Sequence, residues 1–110
     1  MLLHCADISN PAKPYKPYAA WTDRVLAEFY FQGHKEAANG LPISSFFDES
    51  NPSVAKMQSG FIGFIVKPIF AAWSEFVPEL KEICMPHIEA NTVIWKGDTR
   101  SLHSHAAYFL

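Results

Sequence analysis

The chain has 110 residues, 49% of them apolar and 15% aromatic, with 9 basic and 11 acidic side chains for a formal charge of −2. That length fits one domain or a piece of one, and the apolar content is too high for a disordered chain. The mild negative charge, without any basic stripe, argues against a nucleic-acid partner.

The first element is a helix over Met1 to Ala6, with Asp7 in its last turn or just past it, because Asn10-Pro11 pushes residue 10 out of the α region. A carboxylate at the negative end of a helix, among apolar neighbours, is unfavourable unless a cation or strong donors compensate it. Asp7 is therefore a candidate metal ligand, and equally a turn residue whose oxygen bonds nearby N–H groups. Pro11, Pro14 and Pro17, with Lys13 and Lys16, read as a stiff, solvated connector. Tyr18 to Ala38 follows as an amphipathic helix with Trp21, Val25 and Phe29 every four residues, stopped at Asn39-Gly40.

Leu41 to Ser50 reads as a loop whose Ile43, Phe46 and Phe47 should fold back onto something apolar. Asn51-Pro52 offers a helix cap, and Val54 to Phe76 continues with helical periodicity, kinked at Pro68. Pro78 starts a helix over Glu79 to Met85, Pro86 breaks it, and His87 to Trp95 forms another. Residues 97–110 show no period and are expected to be a loosely held tail. The fold class is all-α.

The most apolar window, Phe61 to Phe76, is interrupted by Lys67, Pro68, Ser74 and Glu75, so no membrane span is expected. Cys5 and Cys84 lack metal-type spacing and no signal peptide precedes them, which makes a reduced, cytoplasmic setting the default. Three Trp, nine Phe and four Tyr are more than so short a chain buries alone. A partner or further sequence is implied.

Gln58 and Phe61 lie three apart and share a helix face. A glutamine amide can pair with a purine edge while a phenyl ring stacks on the base, although the same two residues also suit a surface amide beside a core ring. Four ordered stretches then extend the pattern: His4-Cys5-Ala6-Asp7-Ile8-Ser9-Asn10-Pro11, Trp21-Thr22-Asp23-Arg24, Glu28-Phe29-Tyr30 with Gln32-Gly33, and Gln58-Ser59-Gly60-Phe61-Ile62. Together they resemble the catalytic domain of class I 3′,5′-cyclic nucleotide phosphodiesterases, and most closely its cAMP-specific type 4 branch. Asn91 and Trp95 resemble the Asn-x-x-x-Trp near the end of some members.

The resemblance implies that residues 1–96 are the C-terminal portion of a compact, multi-helix, HD-type phosphodiesterase domain, with cAMP or cGMP as ligand. It implies that Asp7 ligates one of two divalent metals, zinc with magnesium or manganese. It also implies that Gln58 reads the purine, that Phe61 and Val25 clamp it, and that Asn10, Tyr18, Trp21, Thr22 and Phe29 wall the pocket. Phe46 falls at a lining position on the metal side. His34 departs from the Asp usual after Gln-Gly, and Asp48-Glu49 lacks a basic residue often found next. The family's other metal ligands and proton-donating histidine lie upstream of the matching stretch, so the chain alone is expected to be inactive. The alternative is a non-catalytic helical module that binds a full-length homologue or another partner.

Overall fold

Prolines decide where most of the helices begin. In the computed structural model, which describes residues 2–97, α1 (Leu2–Asp7) gives way to a 3₁₀ turn at Asn10–Ala12 with Pro11 near its start. Next, α2 (Tyr15–Ala38) takes Pro14 as its cap and Pro17 in its first turn, where no intrahelical N–H is needed. At 24 residues it is the longest element among the described residues, about 36 Å of rigid support. After the loop come α3 (Val54–Phe61), a π-helical segment (Ile62–Val66), α4 (Lys67–Ser74), α5 (Glu79–Ile83) and α6 (Met85–Gly97). No strand occurs among the described residues, and the fold is all-α. The expected tail lies outside them, apart from Gly97, which closes α6.

Pro68 acts differently from a simple kink. Its ring removes the bond to the carbonyl of Phe64, and the chain answers one residue earlier by widening the turn: the N–H of Lys67 reaches the carbonyl of Ile62, five residues back. Pro68 thereby falls in the first turn of α4. The cap expected at Asn51 is displaced too. α3 starts at Val54, preceded by Ser53, and no side chain caps it.

The core gathers one apolar stripe from each main helix. Tyr18 and Leu26 of α2 meet Val54 of α3, Ile62 and Val66 of the π segment, Phe70 of α4, and Ile88 and Trp95 of α6. Ala12 joins them, and Pro11 is also buried, so the connector is solvated only in part. The two prolines that follow explain why it is anchored from outside. Residues 14 and 17 carry no N–H to satisfy the carbonyls of Pro11 and Lys13, and the Asn91 side-chain amide donates to both at 2.9 Å.

The loop over residues 41–50 does fold back. Glu36 accepts the backbone N–H and the hydroxyl of Ser44, both at 2.7 Å. Donation from Gln32 first, and then from Ser44, holds its carboxyl below the usual range. Phe47 stacks on Phe29 with ring centres 4.4 Å apart, and its carbonyl presses on α2 at Gly33. A Cβ built there would lie 2.0 Å from the Phe47 oxygen, whereas one at Gly60 would meet nothing within 4 Å.

Helix propensity alone would favour alanine at both glycines. We expect Gly60→Ala to stabilise the chain by about 0.5–1 kcal/mol, and Gly33→Ala to destabilise it by about 1–3 kcal/mol through overpacking. Urea unfolding of the two variants reads the opposite signs; a stabilising Gly33→Ala would mean the loop does not pack on α2.

Candidate functional site

Where α1, α2 and α3 converge they leave a cleft of about 210 Å³. Asp7, Ile8 and Asn10 contribute from the end of α1 and the turn after it, Thr22, Val25 and Phe29 from α2, and Met57, Gln58 and Phe61 from α3. The helical periods bring them together. Residues 22, 25 and 29 lie on one face of α2, and 57, 58 and 61 on one face of α3.

Three side chains form the polar floor beneath the cleft. The Trp95 indole N–H donates to the Tyr18 hydroxyl oxygen at 2.9 Å, and the Tyr18 hydroxyl donates to Gln58 Oε1. An indole can only donate, and with the Gln58 oxygen turned to Tyr18 the tyrosine proton goes to that acceptor. Gln58 therefore has its oxygen occupied and keeps its NH2 donors for the cleft. Tyr18 and Trp95 also pack edge to face, 6.2 Å between centres. Full burial of Tyr18 pushes its phenol well above the ordinary value of 10.0, so it stays a neutral donor.

A second polar group lies nearby. Asn10 Nδ2 donates to the Tyr18 carbonyl at 3.3 Å and to Thr22 Oγ1 at 3.5 Å, and Thr22 in turn donates to the same carbonyl at 2.9 Å. Asn10 Oδ1 is buried without a partner. An orphaned acceptor of this kind is costly unless a ligand or water fills it. The cleft thus offers the Gln58 amide donors between largely apolar walls, with Asp7 and Thr22 as its other polar lining and the Asn10 oxygen buried beside it.

Of the residues singled out from the sequence, Asp7, Asn10, Thr22, Val25, Phe29, Gln58 and Phe61 line this cleft. Tyr18 lies behind Gln58 rather than on the wall. Trp21 is half exposed, covered by Arg24 at 5.0 Å and Lys13 at 5.9 Å from its ring centre. Phe46 is also absent from the lining. The loop passes through a left-handed conformation there, φ 69°, which sends Phe47 to Phe29 and leaves Phe46 exposed. Ile8 and Met57 were not singled out. Ile8 follows Asp7 directly, and Met57 stands one turn before Phe61.

Asp7 is exposed at the edge of the cleft. Among the described residues no group of three or more His, Cys, Asp and Glu side chains comes together. A catalytic metal needs about three protein ligands, so this donor set does not fit a complete metal centre. Nor is any helix among the described residues long and apolar enough to cross a membrane.

The family model of 3′5′-cyclic nucleotide phosphodiesterases matches residues 1–88. The chain belongs to that family. It is 47% identical over 83 residues to 3′,5′-cyclic-AMP phosphodiesterase 4C of Rattus norvegicus, covering 74% of this chain and 16% of the relative. To 3′,5′-cyclic-AMP phosphodiesterase 4 of Dictyostelium discoideum it is 43% identical over 89 residues, 81% of this chain and 8% of the relative. Among solved structures, LmjPDEB1 in complex with IBMX superposes with a TM-score of 0.76 at 30% identity, over 84% of this chain and 28% of that one. The chain therefore spans well under half the length of these phosphodiesterases. Asn91 and Trp95, which reach back to the cleft and its turn, lie beyond the residues the family model matches.

Removing the Tyr18 hydroxyl strips Gln58 of its donor and Trp95 of its Tyr18 acceptor, so Tyr18→Phe should cost about 1–3 kcal/mol at neutral pH. The pH dependence has a definite sign. With the folded phenol raised above 10.0, the unfolded state loses its proton first as pH rises. The stabilisation is complete below pH 10 and declines from there towards the folded value. Urea unfolding between pH 7 and 11 should show the wild-type chain losing stability more steeply than Tyr18→Phe above pH 10; parallel curves would contradict the buried, neutral phenol.

Proposed function

We propose that this chain carries the purine-recognition part of a domain that hydrolyses 3′,5′-cyclic nucleotides to 5′-monophosphates, as the C-terminal portion of that domain. The observation that carries the reading is Gln58, its oxygen occupied by Tyr18 and its NH2 left to a cleft lined by Val25, Phe29 and Phe61. Those apolar side chains supply stacking surface for a base, worth about 1–3 kcal/mol in comparable nucleobase contacts.

Adenine is the base this reading assigns. Its N7 acceptor suits a Gln58 N–H. A preference for cAMP over cGMP follows from the likeness to the cyclic-AMP relatives named above.

Asp7 serves in this reading as one ligand of a divalent metal pair, zinc with magnesium or manganese. The other ligands and the group that protonates the leaving 3′ oxygen come from outside residues 2–97. The described residues hold no other such donor set, so hydrolysis is assigned to the whole domain and nucleotide binding to this segment.

Titration calorimetry with cAMP and cGMP tests the proposal. The chain should bind cAMP more tightly, and Gln58→Ala should weaken cAMP by roughly tenfold or more, the loss of one or two hydrogen bonds. Equal affinity for both nucleotides, or no loss in Gln58→Ala, would overturn it.

A second reading rests on a separate observation. Leu3, Phe64 and Phe76 are each more than four-fifths exposed, and the Cα radius of gyration of 15.2 Å exceeds the ~13 Å typical of a compact chain near this size. Such a surface suits a helical module that docks on a full-length homologue. Co-elution with a full-length phosphodiesterase in gel filtration would support it; two separate peaks would not.

A further inference from the structure

Asn91 does more than pack. It is 1% exposed, it stands on α6 about eighty residues from its partners in sequence, and both of its bonds go to one short turn. Its Nδ2 donates to the carbonyls of Pro11 and Lys13, each at 2.9 Å. Within the turn itself only two backbone bonds hold the chain, Ala12 N–H to Ser9 O at 2.9 Å and Lys13 N–H to Asn10 O at 3.2 Å. Prolines at 14 and 17 cannot add donors.

That turn begins with one of the cleft's polar residues, Asn10, and continues the segment that ends α1 at another, Asp7. Asn10 in turn reaches α2 only through long bonds of 3.3 and 3.5 Å, too weak to fix the turn alone. The strong bonds come from α6. We propose that Asn91 is a positioning residue for the nucleotide cleft: it clamps the Pro11–Lys13 turn and so sets where Asn10 and Asp7 stand against Gln58. This rests on the reading of the cleft as a purine site, and it adds a control point on α6 that never touches the ligand.

Trp95 supports the same division of labour. One turn further along α6 it holds Tyr18, and through it Gln58. Asn91 thus governs the Asn10 side of the cleft and Trp95 the Gln58 side, from a single helix face.

The experiment compares Asn91→Ala and Asn91→Asp, which keeps the shape but loses the donors, with Val54→Ala, a core change on α3 that destabilises without touching these bonds. Hydrogen exchange read by NMR reports the Ala12 and Lys13 amides, and calorimetry reports cAMP affinity. Both Asn91 variants should lose protection at these two amides by at least about tenfold beyond the global loss seen in Val54→Ala, and weaken cAMP by about tenfold where Val54→Ala leaves it unchanged. Protection at residues 12 and 13 that tracks the control, or an affinity loss no larger than the control's, would overturn the inference. Gln58→Ala separates the two levels: if that variant binds cAMP as well as the wild type, the purine reading has failed, and the amide protection still decides the clamp.

Discussion

The hydroxyl of Tyr18 accepts a hydrogen bond from Trp95 on α6 and donates its own to Gln58 on α3, so one oxygen on α2 joins three helices at the base of the cleft. Burial makes the arrangement demanding. The Tyr18 hydroxyl has given up water, and losing these partners would cost it the hydrogen bonds that replaced the solvent. The same constraint that holds the helices in register therefore fixes which end of the Gln58 amide faces the cleft.

Around this centre, the prolines shape the backbone. They start α2, α4 and α5, and they leave gaps in hydrogen bonding that other groups must fill. At Pro68 the filling is local, by a π-helical turn. Between Pro11 and Pro17 it is long-range, by Asn91 from the far end of the chain. The loop after α2 is held by a third device, close approach, which needs Gly33 to have no side chain.

Much of the fold and the site could be read from the sequence because it rests on period and order. The four-residue spacing of Trp21, Val25 and Phe29 marked α2, and the gap between Gln58 and Phe61 placed them on one face. Family resemblance, carried by four short stretches in order, located the cleft residues. What could not be read was direction. Tyr18 sits in the same stripe as the cleft residues, yet it points behind Gln58, because a buried hydroxyl must go where its partners are. Phe46 and Phe47 are identical in composition, and only the left-handed turn at Phe46 decides which one packs. Pairings such as Asn91 with Pro11 cross the whole chain and leave no local trace in it. His34 and Glu49 show the same limit. His34 replaces the usual Asp, and Asp48-Glu49 lacks a basic residue after it, two separate features of the sequence; in the structure His34 and Glu49 meet at 2.6 Å as one pair.

The most direct measurement on the central interaction is the hydroxyl proton of Tyr18 itself, observed by NMR in water. A proton bonded between buried partners should exchange slowly enough to be seen, show cross-peaks to the Trp95 indole N–H and the Gln58 side chain, and vanish in Tyr18→Phe with every other assignment retained. A hydroxyl that exchanges with solvent too fast to detect, or one whose neighbours are not Trp95 and Gln58, would contradict the three-helix junction and with it the assigned orientation of the Gln58 amide.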